Sequence, residues 1–198
     1  ISPWNEPVRE SMGPQGNSCK GGSPANMRIL LISTLYPNSE QPTRALYNQR
    51  HFGAIRDLGN TVEVVAPVAN FPFFTPLRAK LPPRRETIDG ISVRHPRFFY
   101  TPGCLRRLHY LGYRRAVRPL LEQWAENAAC ASEQAHVAIG FAYPDAVAMA
   151  PLCQTMGLDY SVMVLGSDFR VTGISPVIGP KVMQVLRSSA TIFCPGRA

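Results

Sequence analysis

Two polar loops in the second half of the chain carry residue types that can do chemistry. The first contains Tyr143 and Asp145, and the second contains Ser167 and Asp168. A carboxylate such as that of Asp168 can orient a hydroxyl group or accept its proton, and a tyrosine ring can stack on a ligand. Each aspartate also has a plainer interpretation as a helix N-cap, which is the favoured one for Asp145 because Pro144 precedes it.

The segments around these loops predict a βαβ unit. Val137 to Ile139 and Ser161 to Leu165 are short apolar runs typical of buried strands, and a segment rich in Ala, Leu and Met that ends at Gly157 lies between them. In a parallel sheet, loops that follow the strands meet at the carboxyl edge, where ligands bind. We therefore expect both polar loops at that edge.

An earlier segment predicts a second βαβ unit. Arg28 to Ser33 is an apolar run, a helix is expected from Ala45 to Gly59, and Thr61 to Pro67 forms the next strand. The loop before the helix contains Thr43, Arg44 and Ala45. Its polar side chains can meet phosphate oxygens near a helix N-terminus, although a solvated loop is the alternative.

The middle of the chain combines proline-rich and strongly basic sequence. Residues 70–97 predict a surface excursion with a hairpin at Asp89-Gly90, followed by the aromatic residues 98–100. From Leu105 to about Ala131, apolar residues that include Leu108 recur at helical spacing, and we expect them to face the core. The opposite face of this helix carries Arg106, Arg107, Arg114, Arg115 and Arg118.

The basic residues are concentrated in one part of the chain. Residues 78–118 hold eleven basic and two acidic side chains, an excess of nine positive charges, whereas the whole chain has a net charge of +8. Such clustering indicates a local anionic partner, and the arginine face suits an anionic membrane surface. A solvated face and a sequence-independent contact with nucleic acid are the alternatives.

Length and composition predict one domain. The 198 residues are 45% hydrophobic, which is ordinary for a globular protein, and no apolar run approaches the roughly 18 residues of a membrane span. Residues 1–26 are rich in Pro, Gly and Ser, so we expect a disordered leader or non-native extension before a domain at 27–198. We expect a cytoplasmic protein with buried thiols and no metal site, because its five cysteines show no metal-ligand spacing.

The order of these features resembles the amino-terminal domain of retaining GT-B glycosyltransferases of family 4. The resemblance covers residues 27–198 and rests on the segments RILLIS, PTRALYNQRHF, LGNTVEVVAP, RHPRFFYTPG, FAYPDAVA, VLGSDF and SSATIFCPGRA. It implies an α/β, Rossmann-like doubly wound parallel sheet that forms one half of a GT-B fold. In such enzymes this half binds the acceptor and the other half binds the nucleotide-sugar.

The resemblance also implies a function. It predicts transfer of a sugar from a nucleotide-sugar donor to a saccharide or lipid-linked acceptor in envelope or exopolysaccharide synthesis. Asp168 would be catalytic, and Tyr143, Asp145 and Ser167 would bind the acceptor. No cofactor is expected in this chain, because the donor belongs to a carboxyl-terminal domain that the sequence lacks. Without that domain we expect the chain to be inactive.

Three positions depart from the family pattern. Ala45 stands where glycine is usual, Gly140 where a histidine is common, and Leu165 where a histidine or arginine is common. An alanine is disfavoured at positive φ, so we expect the loop to approach a phosphate less closely. A leucine cannot stabilise a departing diphosphate. These departures keep a non-catalytic scaffold open as the alternative.

Two enzyme classes are disfavoured because their motifs are missing. No GxGxxG follows the first strand, as a dinucleotide-dependent oxidoreductase requires, and no GxSxG is present for a serine hydrolase.

Overall fold

A computed structural model describes residues 26–70, 80–99, 108–166 and 175–194 of the chain. These residues form nine strands and four helices. The strands are β1 (Met27–Ile32), β2 (Thr61–Val65), β3 (Val68–Asn70), β4 (Arg85–Ile88), β5 (Ile91–Arg94), β6 (Arg97–Phe99), β7 (Gln134–Ile139), β8 (Tyr160–Met163) and β9 (Thr191–Phe193). The helices are α1 (Leu46–Asp57), α2 (His109–Cys130), α3 (Val147–Thr155) and α4 (Gly179–Arg187).

Seven of the strands form one sheet in the order β4-β5-β2-β1-β7-β8-β9. Every neighbouring pair is parallel except β4 and β5. From β1 the chain crosses to β2 on one side of β1, and β7, β8 and β9 later extend the sheet on the other side of β1. Because such crossovers are right-handed, α1 covers one face and α3 and α4 cover the other. The predicted α/β class is confirmed, with a mixed, mostly parallel sheet that is compatible with a Rossmann-like fold.

Strand β1 contributes to two hydrophobic cores. Leu30 and Ile32 belong to the larger core, which includes Trp124 and which α2, α3 and α4 cover. Ile29 and Leu31 belong to the smaller core on the side of α1. Successive side chains of a strand point to opposite faces, so a central strand with both faces covered needs an uninterrupted apolar run.

The hairpin at Asp89-Gly90 is confirmed, but the prediction of a surface excursion is wrong for residues 85–94, whose strands β4 and β5 belong to the main sheet. Residues 71–79 of the predicted excursion lie outside the described residues. Asp89 and Gly90 have φ values of 48° and 76°, the positive values that a type I′ turn needs. Strand β5 pairs with β2, and its side chains Ile91 and Val93 are buried. The period-two alternation of these residues lets the hairpin extend the main sheet.

A second, two-stranded sheet joins β3 and β6 beyond the end of β2. Phe98 of β6 is buried, and its ring centroid lies 5.4 Å from that of Tyr113 in α2. Helix α2 continues through Pro119 without a break. Leu108, expected in the core, is 49% exposed. The buried stripe of α2 instead begins one residue later, at His109.

The ends of β1 and β7 approach so closely that residue 140 has no room for a side chain. The Gly140 backbone N–H donates to the Ile32 carbonyl at 2.9 Å. A Cβ at this position would lie 2.2 Å from Ser33 Oγ and 2.5 Å from Ser33 Cβ. Since Ser33 is buried, it cannot simply swing away. This contact explains physically why residue 140 is a glycine.

We predict that Gly140→Ala lowers the free energy of unfolding by about 1–3 kcal/mol, since the added methyl group overlaps Ser33. Urea denaturation measures the change. Ser33→Gly removes the overlapping atoms, so adding Gly140→Ala to that variant should cost much less. Gly53→Ala in α1, where a Cβ meets nothing within 4 Å, should instead be neutral or stabilising. A Gly140→Ala variant as stable as the wild type would contradict the contact.

Candidate functional site

A cleft of about 270 Å³ lies at the carboxyl edge of the sheet, past the ends of β1 and β2. The loop between β1 and α1 forms one wall, and β3, β6 and residues 80–82 form the rest. The polar side chains of its lining include Thr34, Asn38, Glu40, Gln41, Arg44 and Lys80. The sequence had indicated only Arg44 among these. The others gave no signal beyond the polar composition of the loop, because the cleft forms only when distant segments meet.

A tight turn holds the wall of the cleft that the β1–α1 loop provides. Asn38 Oδ1 accepts hydrogen bonds from the backbone N–H groups of Glu40 and Gln41, at 3.1 and 2.9 Å. The backbones of Asn38 and Gln41 also bond to each other in both directions. An asparagine that bonds to its own turn fixes the backbone in this way. The loop is therefore organised before any ligand arrives.

Two long-range contacts anchor the same loop. The Asn48 side chain of α1 donates to the Leu35 carbonyl at 2.6 Å, and Asn48 is buried. The Ser39 backbone N–H donates to the Glu86 carboxylate of β4 at 3.1 Å. Glu86 is held in turn by His95, whose Nε2 lies 2.7 Å from Glu86 Oε1. The hairpin therefore positions the loop as well as extending the sheet.

Ala45 adopts the left-handed backbone conformation, although an alanine was expected to be disfavoured there. Its φ and ψ are 51° and 45°, directly before the first residue of α1. This conformation costs an alanine roughly 1–2 kcal/mol relative to ordinary backbone. The Asn48 N–H donates to the Ala45 carbonyl at 3.0 Å. The anchored loop thus holds an alanine in a backbone conformation that glycine adopts more easily.

The predicted phosphate-loop residues do not all face the cleft. Arg44 lines it, and its Nη1 donates to Gln41 Oε1 at 3.0 Å. Thr43 is exposed and is not part of the lining. Ala45 contributes through its backbone conformation.

Asp145 is fully buried. Its Oδ2 accepts a hydrogen bond from the Thr34 backbone N–H at 3.0 Å, which joins the start of α3 to the end of β1. The favoured capping interpretation is wrong, because α3 begins after Ala146 without a side-chain cap. Burial raises the pKa of Tyr113 well above its ordinary value, and the Asp145 carboxylate raises it further. The role of Asp145 in acceptor binding stays a prediction. Its hydrogen bond to Thr34 shows that it helps to position the loop after β1.

Tyr143 lies in the turn Ala142–Ala146 between β7 and α3, and its own backbone is extended, with φ −137° and ψ 131°. It is half-buried and packs against the larger core. Leu165 follows β8 and is also half-buried. The predicted residues Ser167 and Asp168 lie outside the described residues, as do Arg106 and Arg107, so their roles stay predictions.

The predicted arginine face of α2 is not uniform. Arg114 turns inward, and its Nε donates to the Ala148 carbonyl at 2.9 Å. Arg118 pairs with Glu122 at 2.6 Å. Arg115 is exposed to solvent. Among the described arginines of this face, one guanidinium is therefore used for packing and another is paired with a carboxylate.

Other chemistry finds little support in the described part of the chain. No three His, Cys, Asp or Glu side chains come together there in a way that could hold a metal ion. The expectation of buried thiols holds for Cys153 and is wrong for Cys130 and Cys194, which are exposed. Burial raises the pKa of Cys153 to about 12, which keeps this thiol protonated and unreactive. Among the helices described, none has the length and apolarity to cross a bilayer. No family model matches the chain, and no curated protein matches it either.

We predict that Ala45→Gly raises the free energy of unfolding by a few tenths to about 1 kcal/mol. Glycine removes the cost of the left-handed backbone, and part of that gain is offset by its greater freedom in the unfolded chain. Thermal or urea denaturation measures the change. Ala54→Gly within α1 is the matched control and should lower stability by about 0.5–1 kcal/mol. A loss of equal size at both positions would show that Ala45 is not left-handed in solution.

We predict that Tyr36 makes stability fall at high pH. Its pKa is raised to about 12, chiefly by burial and also by the charge of Asp89, while Arg56 acts in the opposite direction. The folded state therefore favours the neutral hydroxyl, and this stabilisation is complete below the unfolded value of about 10 and is lost as pH rises toward 12.

Stability measured between about pH 9 and 12 tests this, because the unfolding free energy should fall less steeply in Tyr36→Phe than in the wild type. At neutral pH the variant should be about as stable as the wild type, since the buried Tyr36 hydroxyl has no hydrogen-bond partner among the described residues. Tyr47→Phe, at a side chain that is 42% exposed, should keep the wild-type slope. Equal slopes in all three proteins would refute the role of Tyr36.

Proposed function

We propose that the chain is the acceptor-binding half of a retaining GT-B glycosyltransferase. It would hold a saccharide or lipid-linked acceptor while a sugar is transferred from a nucleotide-sugar donor. The observation that carries the proposal is the left-handed Ala45, which follows Arg44 at the start of α1. It supports a loop of the kind that the resembled family places beside its substrates.

The chemistry of the cleft suits an acceptor that bears hydroxyl groups and negative charge. Arg44 and Lys80 can neutralise a phosphate group, and arginine does so with two parallel hydrogen bonds where geometry allows. Glu40 can accept hydrogen bonds from sugar hydroxyls. The two cations and the single carboxylate favour a phosphorylated saccharide over a neutral one.

The catalytic and donor-binding steps belong to the proposal as well. Asp168 would orient or deprotonate the acceptor hydroxyl, and the nucleotide-sugar would be bound by a second domain of the enzyme. We further propose that the protein works in the cytoplasm at the surface of a membrane, where lipid-linked acceptors are found.

A soluble acceptor mimic tests the proposal. The probe is N-acetylglucosamine joined through a diphosphate to a short isoprenol, titrated into the chain while backbone amide resonances are followed by NMR. We expect shifts in the loop after β1, in β3 and in residues 80–82. Arg44→Gln with Lys80→Gln should weaken binding at least about tenfold, because charged hydrogen bonds to the diphosphate are lost.

Arg187→Gln is the matched control, because Arg187 is exposed in the last turn of α4, away from the cleft. It should leave the affinity unchanged. The assignment of the cleft would be overturned if the Arg44 and Lys80 substitutions left the affinity unchanged. Resonance shifts confined to another surface would overturn it as well.

A non-catalytic scaffold is the second candidate, and one observation favours it. Ser33 fills the space at Gly140, so this fold cannot carry the histidine common in the resembled family. Leu165 likewise replaces a cation. A scaffold of this kind would leave the NMR spectrum unchanged by the diphosphate probe, whereas the transferase half would bind it.

A further inference from the structure

The start of α2 exposes two apolar side chains, of which Leu108 was expected in the core. Leu108 is 49% exposed and Leu111 is 45% exposed. Two more large apolar side chains are exposed on neighbouring elements, Phe99 at the end of β6 and Val177 just before α4. We refer to these four residues, Phe99, Leu108, Leu111 and Val177, as the apolar tip.

Contacts among β6, α2 and α4 place the apolar tip at one end of the molecule. The Phe99 carbonyl oxygen lies 3.1 Å from the position that a Cβ on Gly112 would take, so the end of β6 touches the first turns of α2. Lys181 of α4 donates from Nζ to the Tyr110 hydroxyl of α2 at 2.8 Å. Val177 lies four residues before Lys181, at the same end of α4.

Exposed cations of α2 and α4 lie next to the apolar tip. Arg115 lies one turn after Leu111 and is exposed. Lys181 is exposed as well, with its Nζ held 4.5 Å from the centre of the Tyr110 ring. Residues 108–121 and 175–187 contain no aspartate or glutamate. Charge at this end of the two helices is therefore only positive.

We propose that the apolar tip inserts into the interface of an anionic lipid bilayer. In a bilayer the acyl chains lie just below the charged headgroups. Apolar side chains at the end of a helix can reach the acyl chains while cations one turn away contact the headgroups. Anionic lipids attract each nearby cation, and this complementarity favours a lipid surface over a neutral partner. A partner protein with an acidic groove is the rival occupant.

Docking by the apolar tip would also orient the cleft. Strand β6 contributes to both, because Phe98 lines the cleft and the next residue, Phe99, belongs to the tip. The mouth of the cleft would then lie close to the lipid surface, within reach of a lipid-linked acceptor. This inference rests on the membrane location proposed above and does not depend on sugar transfer.

Vesicle flotation with the full chain tests the inference. We expect binding to phosphatidylcholine vesicles that contain phosphatidylglycerol and weaker binding to phosphatidylcholine alone. Leu108→Ser with Leu111→Ser should lower the affinity at least about tenfold. Leu58→Ser is the matched control, since Leu58 is 75% exposed at the other end of the sheet, where α1 ends. It should bind as the wild type does.

A fluorescent reporter separates insertion from simple electrostatic contact. The emission of Leu111→Trp should shift to the blue on anionic vesicles and be quenched by brominated acyl chains, whereas that of Leu58→Trp should not change. The double variant Arg115→Gln, Lys181→Gln should bind anionic vesicles more weakly than the wild type. Its affinity should also change less with salt concentration, because two cations are lost. These substitutions leave the cleft residues unchanged, so the NMR titration with the soluble probe reports on the acceptor site independently.

The outcomes distinguish the two proposals. A wild-type chain that ignores anionic vesicles would overturn both the membrane location and the role of the tip. Binding that survives the Leu108 and Leu111 substitutions, with no change in Trp emission, would overturn the tip alone. An acidic protein partner would be indicated if the chain ignores vesicles but polyglutamate shifts the amide resonances of the first turns of α2.

Discussion

A hydrogen bond from the Thr34 backbone anchors one wall of the cleft to the start of α3. The Thr34 backbone N–H donates to Asp145 Oδ2, which connects residues 111 positions apart in the chain. A hydrogen bond to a charged group is worth about 1.5–3 kcal/mol, and its loss would leave the buried Asp145 carboxylate without this donor. Asp145 also lies beside Tyr113 of α2. The loop after β1, the start of α3 and helix α2 therefore hold their positions together.

The same loop carries a strained residue. Ala45 is left-handed, and the cost of this conformation is of the same order as the gain from one or two good hydrogen bonds. The turn at Asn38, the side chain of Asn48 and the carboxylate of Glu86 supply such bonds. Strained backbone persists where its surroundings over-determine it, and this commonly occurs at ligand sites. Strain and anchoring together support the choice of this cleft as the candidate site.

The carboxyl edge of the sheet has two neighbouring surfaces of different character. The cleft is polar, with Arg44 and Lys80 among its lining residues, and the apolar tip lies on the other side of β6. Parallel topology brings this about, because every strand that precedes a helix ends at the same edge and every following helix begins there. A ligand site and a docking surface can thus adjoin each other without a separate domain.

The sequence by itself determined the elements and much of their order. Apolar runs predicted β1, β7 and β8, helical spacing predicted α1 and α2, and Asp89-Gly90 predicted the hairpin turn. These signals succeed because they depend on backbone preferences and on the period of one face, which act between residues close in the chain.

Tertiary structure alone decided which residues serve the site. Asp145 looked like a helix cap but bonds to Thr34, Ala45 is held at positive φ by its neighbours, and Leu108 lies just outside the buried stripe of α2. Arg114 looked like part of a cationic face but donates to the backbone of α3. The partners of Asp145 and Arg114 lie 111 and 34 positions away in the chain, so local pattern carries no information about them. Burial and hydrogen bonding across the fold settle these roles, because a buried polar group must find whichever partner the packing brings near.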